Sequence, residues 1–252
     1  MNGYLMLTEA RSGSSWLGSL TNASGAMGNS SEWLSEPGLR DVHDGTEFFS
    51  RVLSKASTPN GCFAVKIFPR HLYETTHKYG FDFIRRCMAE HDTKIIVLFR
   101  KDRVRQAISL ARASITRQWG SRREAEREPK YDFNFICRCY FFIDQSYAFW
   151  RSYLELLELP HDTFFYEDLV PDPAPFIQSV SSHMGIKAPE TPQSEFRIQR
   201  DNVTEEWVLQ FRKDLAERNV LSHGFQRLPG RNVRNLARFL RKDPMLPLPF
   251  TL

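Results

Sequence analysis

Apolar and polar positions follow two different patterns along the chain. Four short runs are rich in apolar residues, as is typical of strands in a parallel sheet. They span residues 4–8, 61–68, 94–99 and 162–170. Longer stretches repeat apolar residues at helical spacing, over residues 14–23, 81–90, 102–119, 131–159 and 172–186. Strands that alternate with helices predict an α/β fold, a three-layer sandwich with a central parallel sheet.

The connections carry the residues that end regular structure. Glycines and prolines recur between the first helix and the second strand, so this stretch is predicted to be irregular. Residues 120–130 are charged and lack apolar periodicity, which predicts a solvated loop or lid. Ser14 stands at the start of the first helical repeat and is expected to cap that helix.

The composition favours a single enzyme-sized domain. The 252 residues are 41% hydrophobic, which is enough for one sizeable core. A net charge of +4 agrees with an anionic ligand, but the basic residues are scattered among acidic ones, unlike the basic stripe that binds nucleic acid. The four cysteines lack zinc-site spacing, and no apolar run is long enough to span a membrane. With no export signal at its start, we expect a reduced, cytoplasmic protein.

The last residues form a feature of their own. We expect one domain over residues 1–225 and a tail over residues 226–252. Within the tail, four arginines stand at helical spacing opposite apolar residues: Arg231, Arg234, Arg238 and Arg241. A basic amphipathic helix of this kind docks on its own domain or on a second subunit, which we favour, or makes peripheral contact with an anionic membrane.

The sequence EARSGSSW, residues 9–16, follows the first strand. A small-residue loop before a helix presents unpaired backbone N–H groups and the positive end of the helix dipole to an anion. Arg11 adds a planar guanidinium that can bind two anionic oxygens, and Gly13 lets a ligand approach the backbone. The pattern alone also fits a turn before a capped helix. It lacks the lysine of the G-x-x-x-x-G-K-[ST] loop of ATP-binding kinases.

Arg100 and Ser109 predict a second anion contact. Arg100 ends the buried strand 94–99, and Ser109 lies on the helix that follows. Ligands of open parallel sheets bind at the carboxyl ends of the strands, so Arg100 and the loop at Arg11 are expected near one crevice. A basic residue at a helix N-terminus opposes the helix dipole, and an anionic ligand would offset this. A solvated helix start is the alternative.

Combined, these motifs resemble one enzyme family. The pattern strand-R-S-G-S-[ST]-[LW]-L-helix, paired with strand-R-x-D-R-x-x-Q-A-[IV]-S-L, is similar to the PAPS-dependent sulfotransferases and, within them, to the Stf0 family, which includes a trehalose-sulfating enzyme. FAVKIF, YEDLVPDP and RIQRDNVTEEWVLQFRKDL extend the resemblance over residues 3–215. It implies a P-loop-like fold, 3′-phosphoadenosine 5′-phosphosulfate (PAPS) as the donor, 3′-phosphoadenosine 5′-phosphate (PAP) as the product, and no metal ion.

The resemblance assigns residues to the donor site. The loop that holds the 5′-phosphosulfate corresponds to Arg11, Ser12, Gly13, Ser14 and Ser15. The 3′-phosphate site corresponds to Arg100 and Ser109, with Arg103 as a weaker match. The C-terminal stretch that closes over the nucleotide contains Gln199 and Arg200. Ala10 stands where relatives have proline, which is expected to loosen the turn without removing a ligand group.

The resemblance also implies a catalytic base. Glu32 corresponds to the general base of the trehalose enzyme and Glu36 is the alternative, since a carboxylate serves as a base if burial raises its pKa. Glu32 and Arg11 are thus the expected catalytic residues. Lys66 either points towards the sulfate or pairs with a structural carboxylate; with Glu36 it is a candidate for the substrate site. The implied acceptor is a small-molecule or lipid-linked carbohydrate, and a homodimer is expected.

Two other functions stay open. A P-loop kinase would share the sheet and the loop position, but it needs a metal ion and the missing lysine. A non-catalytic nucleotide-binding relative would bind PAP without turnover. None of the seven histidines has neighbours that suggest a metal site or catalysis, and no metal is expected.

Overall fold

The computed structural model describes residues 1–119, 124–188 and 202–218. In these ranges the strands are β1 (Asn2–Leu7), β2 (Cys62–Ile67), β3 (Asp92–Phe99) and β4 (His161–Phe165). The α-helices are α1 (Ser14–Ala23), α2 (Gly45–Ala56), α3 (Pro69–Tyr79), α4 (Phe83–Glu90), α5 (Arg103–Thr116), α6 (Phe133–Leu156), α7 (Tyr166–Leu169), α8 (Ala174–Met184) and α9 (Asn202–Arg218). None of the helices in these ranges is long and apolar enough to cross a membrane.

The four strands form one parallel sheet in the order β2-β1-β3-β4. The chain runs from β1 to β2 on one side and then crosses to β3 on the other side of β1. The strand order therefore reverses between β1 and β3, and such a switch point leaves a crevice at the carboxyl ends of the two strands. The predicted α/β fold with a central parallel sheet is confirmed.

Both faces of the sheet are covered along β1, β2 and most of β3, which explains the apolar runs of these strands, whereas the edge strand β4 is only partly buried. The even-numbered side chains of β1, β2 and β3, among them Tyr4 and Ala64, form a buried cluster with residues of α1 and α8. The odd-numbered Phe99 is on the opposite face of the sheet, and its ring centroid lies 4.7 Å from that of Tyr147 on α6. Every residue of β2 is buried, including Lys66. A buried ammonium requires partners, and these lie in the candidate site.

The chain between α1 and β2 is more regular than predicted. Two short 3-10 helices, Trp33–Ser35 and Pro37–Leu39, precede α2. The Asp44 side chain accepts a hydrogen bond from Glu47 N at 2.7 Å, which caps α2, and apolar residues of α2 are buried at helical spacing. The expectation of irregular structure is therefore wrong for residues 45–56, and α3 was also not predicted. Residues 124–130 are exposed and lack helix or strand, whereas residues 120–123 lie outside the described ranges.

Contacts divide the chain into two compact units. The first comprises Met1–Arg103 and Ser146–Ile198 and contains the sheet, and the second comprises Val104–Gln145 and Gln199–Leu252. Within the second unit, Tyr131 Oη donates to Asp214 Oδ2 at 2.8 Å. The tail at 226–252, for which a basic helix was predicted, lies outside the described residues, so that helix and a domain end at residue 225 stay predictions.

Gly28 lies where the chain passes closely beside β2. Its φ is 77°, and a Cβ placed on it would lie 2.5 Å from the Ala64 backbone nitrogen. Gly25 is a matched control, because its φ is 63° and a Cβ there would meet nothing within 4 Å.

Both alanine variants carry the left-handed penalty of about 1–2 kcal/mol. Gly28→Ala adds overpacking against a backbone that cannot move, at about 1–3 kcal/mol. Urea unfolding should therefore give a lower free energy of unfolding for Gly28→Ala than for Gly25→Ala. Equal free energies for the two variants would contradict the close approach.

Candidate active site

Thr8 fixes the path by which the chain leaves β1. Its backbone N–H donates to the Ile67 carbonyl oxygen at 3.1 Å, and its carbonyl oxygen accepts from Trp150 Nε1 at 2.9 Å. Its hydroxyl donates to the Leu98 carbonyl oxygen at 2.8 Å and lies 2.8 Å from Ser12 Oγ. Thr8 thus joins β1 to both neighbouring strands and to the loop that follows.

Two residues of this loop adopt the left-handed conformation. Arg11 has φ 62° and Gly13 has φ 92°. The conformation is unfavourable for arginine, and strained residues of this kind cluster at functional sites. Gly13 is constrained twice, because a Cβ on it would lie 2.2 Å from Tyr166 Cδ2. Glycine is therefore the residue that this turn requires.

The helix α1 begins without a capping side chain. Gly13 is its N-cap residue, and Leu17 N donates to the Gly13 carbonyl oxygen at 3.1 Å. The expectation that Ser14 caps α1 is wrong, because the left-handed turn at Gly13 makes Ser14 the first helical residue. The backbone N–H groups of the first turn are left uncapped by side chains, and with the helix dipole they can bind an anion.

Arg100 is tied to the loop and to α7. Its Nη1 donates to the Arg11 carbonyl oxygen at 3.1 Å, and its Nε donates to Glu167 Oε1 at 3.3 Å. The guanidinium lies 4.9 Å from the centre of the Tyr166 ring. Glu167 also accepts from the backbone N–H groups of residues 101 and 102, at 2.8 and 3.2 Å. The structure therefore places Arg100 beside the loop and gives it a role in holding the loop conformation.

The other residues of the expected nucleotide site are only partly described. Ser109 is half-buried on α5 and belongs to the second unit, whereas Arg100 belongs to the first. Arg103 Nε donates to the Arg100 carbonyl oxygen at 3.3 Å. Gln199 and Arg200 lie outside the described residues. Their contacts with a nucleotide stay predictions.

A short bridge beside β2 brings Glu32 to Lys66. Ser31 pairs with Val65, and Lys66 N donates to the Ser31 carbonyl oxygen at 2.9 Å. Lys66 Nζ lies 2.9 Å from Glu32 Oε1 and donates to Ser15 Oγ at 3.0 Å. The even-numbered side chains of β2 face α1, which explains how Lys66 reaches Ser15. One ammonium therefore contacts both the loop and the candidate base.

This ammonium determines the charge of Glu32. Burial alone would raise the pKa of Glu32, but the attraction and hydrogen bond of Lys66, aided by His71 and Arg70, lower it. Glu32 is therefore ionised at neutral pH, and the expectation that burial raises its pKa is wrong, because Lys66 outweighs burial. Burial lowers the pKa of His71 to about 4, despite the opposing attraction of Glu32, so the imidazole is neutral there. The Lys66 side chain is only 7% exposed, and solvent screens its charge little.

Glu36, the alternative base, has different contacts. Its carboxylate lies 4.0 Å from Lys55 Nζ, and that ammonium also lies 5.7 Å from the centre of the Trp33 ring. Glu32, rather than Glu36, is thus the carboxylate that Lys66 links to the loop.

Sequence reasoning missed a further carboxylate, Glu9. Glu9 is 2% exposed, and its Oε1 accepts from Ala10 N at 2.8 Å. Burial raises the pKa of Glu9 to about 7; Ala10, Ser146 and Arg70 oppose the rise, and Glu32 adds to it. The sequence feature that could have indicated Glu9 was its position, between a buried strand and a loop that contains an arginine.

The arrangement can bind an anion and accept a proton at neighbouring positions. The loop offers N–H groups, hydroxyls and the Arg11 guanidinium, Lys66 and Arg100 contact it from outside, and Glu32 offers an ionised carboxylate. Among the residues that the structure describes, no three His, Cys, Asp or Glu side chains group closely enough to hold a metal ion.

The sequence matches the family model described as "Stf0 sulphotransferase" over residues 63–214. Lys66, Arg100 and Ser109 lie inside this match, whereas the loop at Arg11 and the segment with Glu32 precede it. No curated protein matches the sequence.

The matching solved structures include three sulfotransferases. A sulfotransferase from Alicyclobacillus acidocaldarius is 15% identical, with a TM-score of 0.47 over 88% of this chain and 96% of the other. A sulfotransferase domain from the curacin biosynthetic pathway is 14% identical, with a TM-score of 0.45 over 81% and 82%. A sulfotransferase domain from the Synechococcus PCC 7002 olefin synthase is 17% identical, with a TM-score of 0.38 over 98% and 96%.

Glu9 makes the stability of the folded state depend on pH. Folding raises its pKa from 4.5 to about 7. A raised pKa gives a stabilisation that is complete below pH 4.5 and is lost as the pH rises through 7. The neutral variant Glu9→Gln avoids this loss. Above pH 8 it should therefore be more stable than the wild type by up to about 3 kcal/mol, at about 1.4 kcal/mol per pKa unit.

Denaturant unfolding at pH 4.5 and pH 8.5 would measure this difference, which should be small at the lower pH. Glu74→Gln, which changes an exposed carboxylate on α3, is the control and should show no such dependence. If Glu9→Gln were no more stable than the wild type at pH 8.5, the buried carboxylate would not titrate as described.

Proposed function

Because the chain belongs to the Stf0 sulfotransferase family, we propose that it transfers a sulfuryl group from PAPS to a hydroxyl of a carbohydrate or glycolipid. The resemblance of its motifs to that family is thereby confirmed, and the family is one of transferases. The observation that carries the finer proposal is the contact of Lys66 Nζ with Ser15 Oγ and Glu32 Oε1, at 3.0 and 2.9 Å. Through it, the anion-binding loop and an ionised carboxylate share one cation.

The loop has the donors that a phosphosulfate group needs. The first turn of α1 has no capping side chain, so its N–H groups can bind an anion. The loop residues in this role are Arg11, Ser12, Gly13, Ser14 and Ser15. Arg100 contacts the same loop from the end of β3. By resemblance, the 3′-phosphate would be bound by Arg100 and Ser109, and the nucleotide would be covered by the stretch with Gln199 and Arg200.

The reaction requires that a proton be accepted and that a growing charge be stabilised. The acceptor oxygen bonds to sulfur as the bond from sulfur to the bridging phosphate oxygen breaks. Glu32 takes the hydroxyl proton, and the electron pair of the broken bond leaves with PAP. Glu32 can take this proton because it is ionised at neutral pH, although its lowered pKa makes it a weaker base than a carboxylate that titrates near pH 7. Arg11, Lys66 and the loop amides stabilise the charge on the leaving phosphate.

Lys66 connects these two events. While Glu32 is ionised, its attraction holds the ammonium at 2.9 Å. A proton on Glu32 removes that attraction at the moment when negative charge grows on the leaving group. The ammonium then interacts more strongly with the donor side, where it already contacts Ser15.

The acceptor side lies along the segment that contains both candidate bases. The side chains of Glu32 and Glu36 are 35% and 34% exposed, so an acceptor can reach either. We propose Glu32 as the base and Glu36 as a residue that lines the acceptor site. A small-molecule or lipid-linked carbohydrate acceptor, a homodimer and a cytoplasmic location are proposed from the family resemblance.

Donor binding is tested by calorimetry with PAP in the absence of magnesium. Arg11→Ala removes a charge-assisted contact of about 1.5–3 kcal/mol, so PAP affinity should fall by about 10- to 100-fold. Arg51→Ala, at an exposed arginine on α2, is the matched control and should leave the affinity unchanged. Binding of ADP with magnesium but not of PAP would contradict the proposal and favour a P-loop kinase.

The base is tested by turnover with labelled PAPS and a panel of carbohydrates and glycolipids. Glu32→Gln should lower kcat by about 10²- to 10⁴-fold, the usual contribution of general-base catalysis. Its PAP affinity should be affected far less. Glu36→Gln is the comparison, and a larger loss of kcat there would reverse the assignment. PAP binding without product from any acceptor would indicate a non-catalytic relative.

A further inference from the structure

Glu9 lies just before the loop at residues 11–15 that we propose binds the donor. The hydrogen bonds of its carboxylate are incomplete. Its Oε1 accepts from Ala10 N at 2.8 Å, whereas its Oε2 is buried and has no hydrogen-bond partner among the described residues. Ser146 Oγ, on α6, is likewise buried and without a partner in those ranges. An ionised carboxylate with an unpaired buried oxygen is costly, whereas a protonated one carries an O–H that can donate.

The charged groups around Glu9 only partly compensate for its burial. From α3, Arg70 favours the ionised form, and from the segment before the first 3-10 helix, Glu32 disfavours it. The Ser146 hydroxyl, on α6, acts as a donor that favours the ionised form of Glu9, although its distance or angle falls outside that of a regular hydrogen bond. Lys66, on β2, acts mainly on Glu32, with which it forms an ion pair. In the described ranges, no cation lies within ion-pair distance of Glu9.

We propose that Glu9 is a proton-binding residue of the donor site, which takes up a proton from solvent when an anionic nucleotide binds to the loop. The inference rests on the proposed function, because it requires a nucleotide at Arg11, two residues after Glu9. Negative charge bound at the loop disfavours an ionised carboxylate that is buried beside it. Ligand binding therefore strengthens proton binding, and by thermodynamic linkage a proton on Glu9 strengthens nucleotide binding.

The linkage predicts how nucleotide affinity changes with pH. The pKa of Glu9 is about 7 without ligand, and bound anion raises it further. The contribution of Glu9 to nucleotide affinity is at its maximum below pH 7, because Glu9 is already protonated there before the nucleotide binds. It then falls by up to tenfold per pH unit until the pH reaches the ligand-bound pKa. A permanently neutral side chain at position 9 removes this dependence.

The test is calorimetric titration of the full chain with PAP at pH 7.5, in HEPES, MOPS and Tris. The dependence of the observed enthalpy on the ionisation enthalpy of the buffer gives the number of protons taken up. The phosphates of PAP contribute equally to proton uptake in every variant. The difference in proton uptake between variants is therefore due to Glu9. We expect the wild type and the control Glu74→Gln to take up more protons than Glu9→Gln. Glu9→Gln should also bind PAP more tightly than the wild type at pH 8.5, and equally at pH 6.

Each outcome is decisive. Equal proton uptake in the wild type and Glu9→Gln would overturn the inference while leaving the donor site intact. No binding of PAP at any pH would overturn the proposed function and this inference with it. Glu9→Asp is the second variant if Glu9→Gln fails to fold. It keeps a titrating carboxyl, so it should retain proton uptake with a shifted pH dependence, and complete loss of uptake would contradict the role of the carboxyl.

Discussion

The site depends on the contacts of one buried ammonium, that of Lys66, near the start of α1. Lys66 belongs to a strand whose residues are all buried, and a charge in that position needs partners. It has two, Ser15 from the loop and Glu32 from the segment beside β2. The backbone bridge at Ser31 sets the position of Glu32, so the pair follows from the sheet register. The backbone pairing that positions Glu32 therefore also places it beside the cation that keeps it ionised.

The loop before α1 is held in an unfavourable conformation by contacts from distant parts of the chain. Thr8 is bonded to β2, β3 and α6, and Arg100 holds the Arg11 carbonyl oxygen. Tyr166 occupies the space that a side chain at position 13 would need. Such preorganisation fixes N–H groups before a ligand arrives, so little reorganisation is needed when charge develops. The left-handed arginine is the local cost of this arrangement.

The parts of the fold that the sequence predicted are those with a local physical cause. Strands buried on both faces require continuous apolar runs, and the strand-end rule brought Arg11 and Arg100 to one crevice. The missed helices α2 and α3 begin at Gly45 and Pro69, residues that end helices but are tolerated in a first turn. Glu9 was missed because its burial and the effects of Arg70 and Ser146 on its pKa depend on tertiary structure, which no local pattern encodes.

Glu9 and Glu32 show how one residue type serves two purposes in one site. Burial, nearly complete for Glu9 and partial for Glu32, raises the pKa of a carboxyl. Lys66 reverses that effect for Glu32, whereas Glu9 has only the weaker effects of Ala10, Ser146 and Arg70 and keeps a raised pKa. The two groups therefore respond differently to a bound anion: Glu32 stays ionised for proton transfer, and Glu9 takes the proton that reduces repulsion at the loop. As in other sites with paired carboxylates, the surroundings give the two groups different pKa values, and this difference assigns proton transfer to Glu32 and proton uptake to Glu9.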